Sequence, residues 1–93
     1  MERQNNPLAE EDLLLLEKEK TENHLVLYND EVNTFDWVIE SLIKVCKHDR
    51  LQAEQCSFIV HNNGRCSVKD GSLIRLKPLK EALIERGLSA TIE

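Results

Sequence analysis

The chain has 93 residues and a formal net charge of −5, enough for one small domain whose core is adequate only if most of its apolar residues share it. The charge is uneven: residues 1–23 carry seven acids against three bases, and the remainder carries ten against nine. With no basic patch to offset phosphate charge, nucleic-acid binding is not expected, and the longest early apolar run, Leu13–Leu16, is too short for a signal peptide or a membrane span.

Residues 1–22 are polar and acidic and hold Pro7, a composition that predicts an arm outside the packed domain. The Leu13–Leu16 run is either a transient helix within that arm or a patch that docks on the domain or a partner. The domain is expected over residues 23–93. It opens with HLVLY from His24, short and β-rich, which predicts a strand.

A first helix follows, capped by Asn33 or Thr34, with Asp36 in its first turn and an apolar stripe of Phe35, Val38, Leu42, Val45 and Cys46. Asp49 caps a second helix carrying Ala53, Cys56, Ile59 and Val60, and Asn62-Asn63-Gly64 supplies its stop. RCSVK alternates like a strand, and Asp70-Gly71 reads as a turn. Ser72 caps a third helix with Leu73, Leu76, Leu79 and Leu83 inward, Pro78 costing it a hydrogen bond or a bend, and Gly87 closing it. LSATIE completes the chain as a strand. The order β-α-α-β-α-β predicts an α+β domain of two layers, three short strands under three helices.

Two sets of side chains offer chemistry. Cys46, His48, Cys56 and Cys66 are ligand types for zinc, and His61 with Cys66 could pair a base with a thiol. The cysteines lie ten residues apart with no C-x-x-C, so neither a zinc-finger spacing nor a disulfide framework is present, and a reducing, cytoplasmic compartment is expected. Buried cysteine more often serves as a small apolar filler. The second set is Asn29 and Asp30, where the first strand meets the first helix, and His61 at the end of the second helix. If those two helices pack antiparallel, the three meet at the rim of a hollow walled by Val32, Phe35, Val38 and Val60. Each also has a plainer reading, Asn29-Asp30 as a turn and His61 as a helix-end residue favoured by the dipole.

At these residues the sequence resembles the ClpS adaptor family, which delivers proteins with destabilising N-terminal residues to a Clp-type AAA+ protease. LYNDEVNTFDWVIESLIKV is similar to the family's strand-Asn-Asp-acid-x-x-Thr-Met-x-x-Val segment, FIVHNNGRCSV to its Val-His-x-x-Gly segment, and LSATIE to its last strand, so that the likeness spans residues 24–93. The resemblance implies a monomeric, noncatalytic adaptor without cofactor. Asn29, Asp30 and His61 would hold the substrate's α-amino group and first peptide unit, while Val32, Asn33, Phe35, Val38, Ser57, Val60 and Leu88 would shape a pocket for Leu, Phe, Tyr or Trp. It also implies the N-terminal domain of a Clp-type unfoldase as partner, with Lys77 at the contact, and no membrane or nucleic acid.

The sequence departs from that pattern. Phe35 stands at the family's gate methionine, Glu31 at its second acid and Ser57 at a methionine wall, and the stretch after Gly64 with the third helix is shorter. A stiff ring at Phe35 and a small residue at Ser57 should alter which side chains fit. Two readings of other classes remain beside this one: a small zinc- or thiol-dependent enzyme, and an interaction domain like that of a ribosomal stalk protein, indifferent to a peptide's amino end.

Overall fold

A computed structural model describes residues 22–93; the predicted arm, with Leu13–Leu16, lies almost entirely outside the described residues. The elements run β1 (Asn23–Tyr28), α1 (Phe35–Cys46), α2 (Arg50–Asn63), β2 (Arg65–Gly71), α3 (Leu73–Glu85) and β3 (Ser89–Ile92). This is the α+β order expected from the sequence. The three strands form one antiparallel sheet in the order β2-β1-β3.

Alternation in the strands divides the sheet into two faces. Leu25 and Leu27 of β1, Val68 of β2 and Ala90 of β3 join Ile39, Leu42 and Cys46 of α1, Ala53, Cys56 and Val60 of α2, and Leu76 and Leu83 of α3 in a single core. Three side-chain caps start the helices: Thr34 accepts from the Trp37 amide, Asp49 from Gln52 and Ser72 from Arg75. Each satisfies an amide that the first helical turn leaves without a partner.

Local stops set how the helices return. Gly64 ends α2 with φ +95°, in the left-handed region where a Cβ is strained although the space around it is open. The α3 terminus is a Schellman motif in which the Leu88 amide donates to the Leu83 carbonyl and the Gly87 amide to Ile84. Its two apolar partners, Leu83 and Leu88, are both buried.

Two expectations are corrected, and the strand pairing adds a feature of its own. Asp70 and Gly71 are not a turn but the end of β2, paired with His24 and Asn23; pairing with a distant strand overrides their turn preference. Phe35 and Ile59 are exposed at 43% and 38%, whereas Ile39 and Ser57 are buried, so the inward faces of α1 and α2 are rotated from the stripes read off the sequence. The register of β1 on β2 shifts between Leu25 and Val26, leaving Val68 as the extra residue of a bulge. Its carbonyl accepts from Nε2 of the buried His48 at 2.7 Å.

Candidate functional site

The β1–α1 connection is a short loop tied at several points. At its start the Asn29 amide donates to the Gly64 carbonyl at 2.9 Å, which sets the end of β1 against the end of α2. Asp30 then organises the loop: its Oδ1 accepts from the amides of Val32 and Asn33, both at 2.9 Å, and its Oδ2 from Asn33 Nδ2 at 2.8 Å. The Asn33 amide group also donates to the Gly87 carbonyl at 2.9 Å. Since both of its partners are acceptors, the orientation of the Asn33 side chain follows from the network. The loop is thereby clipped to the α3–β3 turn.

Partial burial pushes the Asp30 carboxyl up, and the bonds from Asn33 and Val32 more than offset it, so its pKa lies below the usual carboxylate value. A carboxylate held ionised in this way keeps lone-pair capacity on Oδ2 beyond the single bond it accepts there.

Helices α1 and α2 bring the other side of the site together. The Phe35 and His61 rings meet edge to face, with centroids 6.4 Å apart and planes at 87°. Between loop and helices lies an open cleft of about 630 Å³ lined by Asn29, Asp30, Glu31, Asn33, Phe35, Val38, Ser57, Val60 and His61. That volume falls in the range of small-ligand sites, roughly 300–1,000 Å³. Behind it a hollow of about 20 Å³ is lined by residues including Leu27, Val38, Val60 and Leu88.

The structure therefore brings Asn29, Asp30, His61, Asn33, Phe35, Val38, Ser57 and Val60 to one cavity and sets Leu88, 5% exposed, behind it. Val32 does not join them. It is 87% exposed, because the turn around Asp30 directs it away from the cleft. Glu31, left out of the site read from the sequence, lines the cleft as a second carboxylate. Lys77 is exposed on α3 and is not among the residues that line the cleft.

Most of the cysteine and histidine set is closed off, Cys66 alone of the four being half-buried. Cys46 and Cys56 are buried and His48 is 5% exposed, committed to the Val68 carbonyl. Burial pushes the Cys46 thiol up to about 11, partly offset by Lys69, and the Cys56 thiol up to about 12, helped by neighbouring Cys66 and Cys46. Among the described residues no group of three or more His, Cys, Asp or Glu side chains is placed to hold a metal ion.

A family model described as ATP-dependent Clp protease adaptor protein ClpS matches residues 18–91. The chain belongs to the ClpS family. ClpS proteins are adaptors of a protease rather than a catalytic family. The fold is similar to that of Agrobacterium tumefaciens ClpS2, whose structure was solved bound to L-phenylalaninamide, with a TM-score of 0.71 and 20% identity over 77% of this chain and 94% of that one. No curated protein sequence matches significantly. Among the described residues no helix is long and apolar enough to cross a membrane.

One cluster outside the cleft lining escaped the sequence reading. Trp37 Nε1 donates to the Arg86 carbonyl at 2.9 Å, the Arg86 guanidinium lies 4.2 Å over the indole, and Arg86 Nε donates to the buried Ser41 hydroxyl at 2.8 Å. It ties α1 to the end of α3 that carries Gly87. Its partners stand more than forty residues apart, so no local pattern announces it.

Proposed function

We propose that this ClpS-family chain is an N-degron adaptor that captures the free α-amino group of a protein beginning with Leu, Phe, Tyr or Trp and hands it to a Clp-type AAA+ unfoldase. The observation that carries this reading is the convergence of Asn29, Asp30 and His61 at the mouth of one cleft whose walls include Phe35, Val38 and Val60. An ammonium carries three donors and needs acceptors in a confined place. The Asp30 carboxylate, the Asn29 amide oxygen and a neutral His61 nitrogen supply them, and the Asn29 amide group can donate to the first peptide carbonyl. Capture of an N-terminal amine is a recognised mode of peptide binding.

Magnitudes suit a transient adaptor. Hydrogen bonds to charged groups contribute about 1.5–3 kcal/mol each, and burying a Leu- or Phe-sized side chain roughly 1.5–3 kcal/mol. Less the cost of association, a few such contributions reach about −8 kcal/mol, or roughly micromolar affinity. The remainder of the proposal follows the family: the cytoplasm as compartment, a monomeric body without cofactor, the arm at residues 1–22 and the exposed Lys77 as the parts that meet the unfoldase's N-terminal domain.

The test is a titration of two peptides that begin with Phe and differ only in N-acetylation. Acetylation removes the charge and adds bulk at the rim, so binding of the free peptide alone is expected. Equal affinity for both would contradict amine capture.

A further inference from the structure

Ser57 sits in the wall of the cleft and is 2% exposed, and its hydroxyl oxygen is buried with no hydrogen-bond partner. Such groups are rare in folded proteins because an unpaired buried hydroxyl is unfavourable. A serine inside a helix ordinarily bonds back to the carbonyl four residues earlier, which here belongs to Ala53, yet no such bond is made. Among the described residues the other buried polar atom in this state, His48 Nδ1, belongs to the closed core and does not line the cleft. Ser57 thus leaves hydrogen-bonding capacity unused beside a cavity.

Its depth is set by the helix. Ser57 precedes His61 by four residues on α2, about one turn, or roughly 6 Å along the axis. His61 is exposed at the mouth and Ser57 buried, so a residue whose amino group is held at the mouth would send its side chain down to the level of Ser57. That span matches the reach of a tyrosine from Cα to its hydroxyl. The apolar walls of the cleft include Val38 and Val60, which offer a polar tip no partner. Rotation among the staggered states of χ1 and of the hydroxyl lets Ser57 donate or accept.

Resting on the amine-capture reading above, we propose that Ser57 makes the cleft selective for a first residue with a hydroxyl at its far end, tyrosine, over the same ring without one. Phenylalanine leaves the Ser57 hydroxyl unpaired beneath it. Tyrosine pairs it, and the phenol and the serine satisfy each other.

The test measures dissociation constants of peptides that begin with Tyr, Phe or 4-methylphenylalanine and are otherwise identical, on the wild-type chain and on Ser57→Ala. Alanine removes only the unpaired hydroxyl and keeps the helix, so melting should be unchanged or slightly raised. In the wild type, the preference for Tyr over Phe and over the methyl analogue should exceed that in Ser57→Ala by about 3- to 10-fold, the worth of one neutral hydrogen bond. Binding of all three with the same ratios in both proteins would overturn the role of Ser57 and leave amine capture standing. Binding of none to the wild type would overturn both.

Discussion

Two groups of polar and titratable side chains lie against α2, and they differ in access. Cys46, His48, Cys56 and Cys66 have the residue types of a metal or thiol site, but Cys46, Cys56 and His48 are closed in the core, with the thiols of Cys46 and Cys56 held protonated by burial. Asn29, Asp30 and His61 have less distinctive chemistry, yet they face an open cleft with apolar walls. Residue type alone would rank the first group higher. Exposure and a shared cavity reverse the ranking, because a ligand must reach a site before its chemistry matters.

The contrast is broken if a change in the closed group alters peptide binding. His48→Ala should destabilise the fold by about 2–4 kcal/mol, since it opens a cavity and leaves the carbonyl of the Val68 bulge unpaired. Peptide affinity measured below the melting transition should stay as in the wild type. A loss of affinity in the folded variant would join the two groups into one site.

Asp30→Ala should do the reverse and cost about 1.5–3 kcal/mol of peptide binding. Because Asp30 also accepts three bonds that shape its loop, roughly 1 kcal/mol of stability should go with it, as for a lost helix cap. The sign of its pH dependence follows from its lowered pKa: the stability is present above the ordinary carboxylate value and is lost as pH falls through the lowered one. Denaturant titrations at neutral pH and at pH 3, with peptide titrations at neutral pH, separate the two effects. Unchanged affinity would reduce Asp30 to a turn former.

Phe35 sharpens the comparison at the edge of the cleft. A core residue of its size would cost about 3–5 kcal/mol on truncation to Ala, but Phe35 is 43% exposed and rests on His61. Phe35→Ala should therefore cost only about 1 kcal/mol of stability and should relax the preference for Leu over Ile at a peptide's first position. Melting and peptide titrations on the same variant decide it: a large stability loss with an unaltered preference would return Phe35 to the core.

What the sequence made legible was mostly local. The caps at Thr34, Asp49 and Ser72 and the stops at Gly64 and Gly87 act within a few residues, and each is found at or within a residue of the expected place. The adjacency of Phe35 and His61 followed from two helices joined by a short turn. Features that depend on distant partners were hidden: the pairing of Asp70 and Gly71 into β2, the Val68 bulge that takes up His48, and the link from Asn33 to Gly87. Asn33 lines the cleft and clips its loop in place as well, a second role that no periodicity reveals. Ser57 was visible only as a small residue in a wall, and its unpaired hydroxyl is a fact of packing.

The most direct measurement is a map of backbone amide chemical shifts of the full chain during titration with a short peptide that begins with Phe. If the cleft is the site, the changes should concentrate in Asn29–Val38 and Ser57–Gly64, and the amides of Cys46, His48 and Val68 should stay in place. Changes centred on Cys46, His48 and Val68, or spread along α3 with Asn29, Asp30 and His61 unmoved, would contradict the account.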